Sequence, residues 1–253
     1  MIPINHEKSM STADPYLSIV VPVYNEESIV VQAVDTMVAN LQKSGWDYEV
    51  LLCENGSRDK TWVLVNDLAK KYTTVRTLQV GKPGHGNYGL ALKTGILAAK
   101  GEIVVNDEID IGNFDFYDQA VRILSRESDV AMVVGSKTLA TSNDKRPMVR
   151  KFATWCVNAL LRVLLGFKGT DTHGLKAWKR ERLERIVRDC ITERDIFTSE
   201  FVIRTERAGF LVHEIPIEIA ETRAARIPLI KRVPHVLRNI WTLFFALRFG
   251  KKS

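Results

Sequence analysis

No apolar run in this chain reaches the ~18–20 residues that a membrane-spanning helix requires, and the start, with His6, Glu7, Lys8 and Asp14, lacks the apolar core of a secretory signal. These absences predict a cytoplasmic protein, free in solution or attached to a membrane only at its surface. Cysteine is scarce: Cys53, Cys156 and Cys190 are far apart and form no CxxC pair, so they are expected to be reduced packing residues. The histidines (His6, His85, His173, His213, His235) fall at no ligand spacing, which argues against a zinc site. A basic and aromatic stacking platform and any groove-reading motif are also missing, so nucleic acid is not an expected partner. Acid is absent from the last stretch, where Thr222 to Ser253 carries eight cations and no carboxylate. The formal charge of +6 over 253 residues is therefore a property of the tail, and the residues before it are slightly acidic.

That tail also holds Val233, Val236, Leu237, Ile240, Phe244 and Leu247 at helical spacing, with Pro234 suited to a first turn and Trp241 and Phe245 widening the apolar face. A basic amphipathic helix is predicted over 231–253. A second such segment, Lys145 to Lys168, has six cations, no acid, and Val149, Phe152, Ala153, Cys156, Leu160 and Leu164 on one stripe. Both could simply pack on the core. Together they suggest a surface for anionic lipid, where each cation near the headgroups contributes ~1 kcal/mol.

From residue 15 the chain alternates strand and helix signals after a polar, mobile segment (1–14). Strands are predicted at Leu17–Val23, Tyr48–Cys53, Val75–Val80 and Ile103–Val105. Between them lie helices with Asn25 as a candidate cap for the first, Ser57 or Asp59 as the start of the second, and Tyr88 to Ala99 as the third. This order implies an α/β fold with a mostly parallel sheet covered by helices on both faces, and ligands outside the carboxyl ends of the strands. The unusual polar clusters fall at those ends. The strongest is Asp107-Glu108-Ile109-Asp110 behind the fourth strand. In an extended backbone Glu108 and Asp110 share a face and Asp107 turns away. Two carboxylates ~4 Å apart repel by roughly 4 kcal/mol at an effective dielectric of ~20, which a hard divalent ion holding a diphosphate would relieve. A solvated turn is the simpler reading of such a cluster in isolation.

Gly84-His85-Gly86-Asn87-Tyr88-Gly89 fits GxGxxG, follows a strand and opens a helix, as in dinucleotide-binding units. It belongs to the third unit of the chain rather than the first, and it leaves Val21–Glu27 and Glu54–Ser57 without a role. The glycines are better read as allowing close approach to a ligand or to the sheet.

Seven segments in order carry a resemblance: Val21-Pro22-Val23-Tyr24-Asn25-Glu26-Glu27, Glu54-Asn55-Gly56-Ser57-Arg58-Asp59-Lys60-Thr61, the Gly89 to Gly95 helix, Glu108-Ile109-Asp110, Gly135-Ser136-Lys137, Asp171-Thr172-His173-Gly174-Leu175-Lys176-Ala177 and Glu214-Ile215-Pro216. They resemble family 2 inverting glycosyltransferases, and most of all the dolichyl-phosphate mannose synthase and polyprenyl-phosphate glycosyltransferase branch. The resemblance implies a single-domain GT-A nucleotide-sugar fold over 15–230, with a nucleotide-sugar half to about residue 113 and an acceptor half from about 114. It implies that Pro22, Tyr24, Glu26, Cys53 and Asn55 hold the nucleotide, and that Glu108, Ile109 and Asp110 form the metal-binding segment, with Glu108 and Asp110 on Mg²⁺ or Mn²⁺. Lys137 and Arg223 would meet phosphate, and Asp171 would be an acceptor-side base or orienting group.

The expected reaction is inverting transfer of a hexose from a GDP- or UDP-linked donor to a polyprenyl or dolichyl phosphate at the cytoplasmic face of a membrane. A sugar hydroxyl as acceptor is the alternative, which would call on Asp171 to take a proton. A nicotinamide-dependent dehydrogenase and a non-catalytic membrane-bound module are the readings from other classes. The chain departs from the family pattern in having Glu54-Asn55 for paired acids, Glu108 for the first Asp of DxD, and Ala224-Ala225-Arg226 after Arg223.

Overall fold

Apolar runs bounded by Gly, Asn and Asp fold as strands, and segments with one apolar stripe fold as helices against them. A computed structural model describes residues 14–137, 139, 148–172, 174–193, 196–218 and 229–249. The order is β1 (Leu17–Val23), α1 (Val30–Ser44), β2 (Tyr48–Glu54), α2 (Thr61–Lys71), β3 (Val75–Gln79), α3 (Tyr88–Ala98), β4 (Ile103–Asn106), α4 (Phe114–Arg126), β5 (Val130–Ser136), α5 (Met148–Leu165), β6 (Lys176–Lys179), α6 (Arg180–Asp189), α7 (Phe197–Arg207), β7 (Leu211–Pro216) and α8 (Leu229–Phe249). The strands form one seven-stranded sheet in the order β3-β2-β1-β4-β6-β5-β7. Only β6 runs against its neighbours, being antiparallel to β4 and to β5. The expected mostly parallel sheet with helices on both faces is thus observed.

Alternation along the strands sorts the core into two layers. Leu17, Ile19, Val21, Ile103 and Val105 pack with α1, α2 and α4 on one face. Val20, Leu51, Val104 and Trp178 pack with α3, α5, α6, α7 and α8 on the other. Both faces of β1 and β2 are buried, so these strands read as continuous apolar runs. On the second face α3 lies close to the sheet at Gly95, where a Cβ would sit 2.3 Å from Cys53 Sγ and 2.5 Å from Val20 Cγ1. Gly95→Ala is therefore expected to push α3 outward and cost about 1–3 kcal/mol, less the fraction regained from helix propensity. Urea unfolding checks this, and an unchanged midpoint would show that the helix can move freely.

Four sequence expectations require correction. Asn25 does not cap α1: it has φ 53, the helix begins at Val30, and the Asn25 side chain instead accepts from Arg58 N at 2.8 Å. The second helix starts at Thr61, later than Ser57 or Asp59, although Asp59 Oδ1 accepts from Thr61 N at 2.9 Å and so braces its first turn. Cys53 and Cys190 are buried as packing residues, but Cys156 is exposed. On α5 the face toward the core is Val157, Leu160, Leu161, Leu164 and Leu165, whereas Phe152, on the proposed stripe with Cys156, points outward. The tail helix packs through Val236, Ile240, Leu243, Phe244 and Leu247, while Leu237, Trp241 and Phe245 stay exposed. Each basic helix consequently has one face on the core and a second apolar face in the open.

Candidate active site

The strand order reverses between β1 and β4, since β2 and β3 lie to one side of β1 and β4 to the other. Such a switch point opens a crevice at the carboxyl ends of the strands, because the two following loops leave in opposite directions. The segment after β1 and the acidic segment after β4 flank that crevice here, which is why the sequence clusters at strand ends come together.

On the β1 side, the loops after β1 and β2 are latched to each other. Asn25 N donates to Ser57 Oγ (2.9 Å), Glu26 N to Thr61 Oγ1 (2.8 Å) and Lys60 N to Glu27 Oε2 (3.0 Å). Pro22 pairs with Cys53 in the sheet register. The Cys53 side chain is in the core, where burial pushes its thiol up to about 12, so only its backbone can face a ligand. Asn55 accepts from Asn87 N at 2.7 Å and thereby fixes the start of α3. Tyr24 is half-buried and Glu26 is buried. The glycine-rich loop comes up against this corner: a Cβ on Gly86 would be 3.0 Å from the Tyr24 ring. Gly86 therefore serves close approach to Tyr24, and Gly84, with φ 79, lies against the Arg58 side chain.

On the β4 side the strand ends at Asn106, and Glu108 to Ile111 form a turn closed by Ile111 N on Glu108 O at 2.9 Å. The segment is not extended, so pleat alternation does not govern Glu108 and Asp110. The separation of Asp107 from the other two acids arises from burial. Asp107 has no exposed surface, accepts from the Tyr117 hydroxyl and from Glu108 N, and burial pushes its carboxyl up to about 7. Ile109 is buried and anchors the turn, Glu108 is half-buried, and Asp110 is exposed. Among the described residues no three His, Cys, Asp or Glu side chains converge to hold a metal ion. A pair of carboxylates outside a strand end, with no closed cage, nevertheless fits Mg²⁺ or Mn²⁺, ions that take few carboxylates and fill their shell with phosphate oxygens and water.

The far side of the crevice is built from β5, β6 and β7. Ser136 ends β5, and Lys137 N donates to Asp171 Oδ2 at 3.3 Å, which brings these two candidates together. The 169–171 loop is clasped from β7: Glu214 accepts from Thr170 N (2.7 Å), Thr170 Oγ1 (2.8 Å) and Asp171 N (3.3 Å). Asn158 of α5 adds a bond to Thr170 O at 2.6 Å. Beneath lies Lys176, fully buried, donating to Gly174 O at 2.7 Å. Burial pulls its ammonium down to about 8, against the opposing pull of Asp171 and Glu108. Arg223 lies outside the described residues. Sequence reading assigned no part to Tyr117, Lys176 or Glu214. The lysine in the otherwise apolar Leu175–Trp178 and the acid in Glu214-Ile215-Pro216 were the available signals.

Residues 18–107, from β1 to just past the end of β4, match the model described as Glycosyl transferase family 2. Over that span the chain is similar to glycosyltransferase family 2. As a glycosyltransferase it is similar to two dolichyl-phosphate beta-glucosyltransferases of Trichomonas vaginalis. One is 28% identical over 228 residues, covering 86% of this chain and 69% of the relative. The other is 27% identical over 251 residues, covering 90% and 76%. Glucosyl-3-phosphoglycerate synthase from Mycobacterium tuberculosis, solved in complex with Mn²⁺, UDP and phosphoglyceric acid, superposes with a TM-score of 0.63 at 20% identity, over 94% of this chain and 80% of that one. That likeness establishes the GT-A type of fold for the glycosyltransferase. The relatives' alignments extend well past Asp107, into the half that holds Lys137, Asp171 and Lys176.

Proposed function

We propose that this glycosyltransferase transfers a hexose, with inversion, from a UDP- or GDP-linked donor to a polyprenyl or dolichyl phosphate at the cytoplasmic face of a membrane. The observation that carries the proposal is the convergence, at one switch-point crevice, of the interlocked Tyr24–Glu27 and Asn55–Lys60 loops, the Glu108–Asp110 turn and the Lys137–Asp171 pair. Pro22, Tyr24, Glu26, Asn55 and the Cys53 backbone line the nucleotide side. Glu108 and Asp110 would hold Mg²⁺ or Mn²⁺, which when bound neutralises charge on the departing diphosphate. Lys137, with Arg223, is suited to orient an acceptor phosphate whose oxygen is already anionic at neutral pH. In that case Asp171 orients the acceptor and need not remove a proton. The similarity to dolichyl-phosphate transferases supports the lipid acceptor.

Chemical support for a membrane comes from α5 and α8. No helix among the described residues is long and apolar enough to cross a membrane. Phe152 and Trp155 on α5 and Trp241 and Phe245 on α8 are each at least half exposed, on helices that also carry Lys151, Arg238 and Arg248. Aromatic side chains beside cations suit an anionic lipid interface. Trp241→Ala with Phe245→Ala is expected to weaken flotation with vesicles of phosphatidylserine and phosphatidylcholine by about tenfold or more, taking ~1.5–3 kcal/mol per buried side chain. Raising the salt should weaken wild-type binding as well. Equal flotation of variant and wild type would remove this face from the reading.

Incubation of the purified protein with radiolabelled UDP-glucose or GDP-mannose, Mn²⁺ or Mg²⁺, and vesicles containing dolichyl phosphate tests the reaction. Label extracted into organic solvent, lost on adding EDTA, is the expected result. Transfer to a soluble glycan alone would favour the sugar-hydroxyl acceptor, and no transfer from any nucleotide sugar would overturn the proposal.

A further inference from the structure

β6 is a central strand with two covered faces, yet its first residue is a lysine with no exposed surface. Taking an ammonium out of water costs several kcal/mol even after the surroundings relax, and a methionine of similar length would pack there without that cost. In the register Lys176 stands beside Asn106 of β4 and Val134 of β5. From this one row the chain runs on within a few residues to Glu108–Asp110 on one side and to Ser136–Lys137 on the other, and Asp171 lies five positions earlier on the strand's own lead-in loop. Because β6 runs against its neighbours, its beginning faces the same edge as their ends. Lys176 is therefore the floor beneath the segments that form the crevice.

Its bonding matches that position. One donor of the ammonium goes to Gly174 O at 2.7 Å, and an ammonium has three. The Asp171 and Glu108 carboxylates favour its charged form, the first more strongly, and Lys137 opposes it. One of these acids belongs to the donor side of the crevice and the other to the acceptor side.

We propose that Lys176 is a positioning residue for glycosyl transfer, the buried counter-charge that couples the donor-side carboxylate of Glu108 to the acceptor-side carboxylate of Asp171. The inference rests on the assignment of Glu108 to a divalent ion and of Asp171 to the acceptor. Two effects of opposite sign follow. Removing the positive charge leaves the acidic turn more attractive to a dication, so metal binding tightens. It also takes away the positive charge beneath Asp171, so transfer slows. A lysine present only for packing would produce neither the tighter metal nor the division between the two.

The experiment uses the purified protein, with Lys176→Met as the neutral variant and Lys176→Gln as a second that keeps a donor for the Gly174 carbonyl. Mn²⁺ binding in the presence of UDP is followed by the loss of the free-ion paramagnetic resonance signal, and hexosyl transfer is measured in parallel. Expected are about three- to tenfold tighter Mn²⁺ binding, a kcat lower by about tenfold or more, and a donor KM changed less than about twofold. Mn²⁺ binding equal to or weaker than wild type in a folded variant would overturn the inference, as would failure of both variants to fold, which would mark the lysine as structural. A wild type that neither binds Mn²⁺ with UDP nor transfers a hexose would instead sink the glycosyl-transfer reading itself, which keeps the two failures apart.

Discussion

Asp110→Ala is expected to reduce hexosyl transfer by about 10²–10³-fold while leaving the thermal unfolding midpoint within about 2 °C of wild type. The side chain is exposed on a turn whose anchors are the buried Ile109 and the Glu108–Ile111 backbone bond, so truncation removes little that holds the fold together. What it removes is one of the two carboxylates proposed to hold the ion, in a protein where no group of three His, Cys, Asp or Glu is found among the described residues. If Asp110 is a ligand of the ion that neutralises the departing diphosphate, its loss should cost about 3–4 kcal/mol in the transition state. Steady-state kinetics at saturating Mn²⁺ together with calorimetry provide the check. Activity within threefold of wild type would mean that Asp110 holds no metal. Asp107→Ala offers the contrast: it empties a buried site bonded to Tyr117 and should lower stability first.

Glu214→Ala is expected to harm both stability and acceptor use. It leaves the Thr170 amide and hydroxyl and the Asp171 amide without the carboxylate that now accepts from them. Charge-assisted bonds of this kind contribute ~1.5–3 kcal/mol, and Glu214 is only half-buried, so a net loss of about 2 kcal/mol and a fall of about 4–8 °C follow. The 169–171 loop then carries Asp171 out of register with Lys137, and the acceptor KM should rise about tenfold while the donor KM holds. Glu214→Gln, which keeps one accepting oxygen, should fall between the two. Measured KM values for donor and acceptor that rise together would show that the clasp steadies the whole crevice rather than its acceptor side.

The left half of the sheet was legible because its signals are local. Leu17–Val23, Tyr48–Glu54 and Ile103–Asn106 are mainly apolar runs with Asn or Glu at or just after their ends, and burial on both faces is why no alternation shows in them. The right half speaks less clearly. Lys176-Ala177-Trp178-Lys179 has two lysines in four residues and becomes a strand only because β4 and β5 pair with it from either side. In the candidate site, proximity in sequence singled out Glu108 and Asp110, although the extended geometry used to pair them gives way to a turn. Lys176 and Glu214 stood in the quoted segments without a role, Lys176 because nothing local in the sequence shows that it is fully buried and Glu214 because it reaches back 44 residues to Thr170. A contact of that length leaves no mark on local periodicity.

The reversed strand β6 also determines what can be cut. A fragment ending near residue 113 would contain the nucleotide-side loops and the whole span matched by the family model, and would look like a module. It would end its sheet at β4, which would lose the pairing of Ile103–Asn106 with β6 and the cover that α4 gives to Ile103 and Val105. An apolar strand with an open ladder recruits another of its kind. Such a fragment should collect in inclusion bodies, and its tendency to do so would measure how far the two halves of this sheet have become one folding unit.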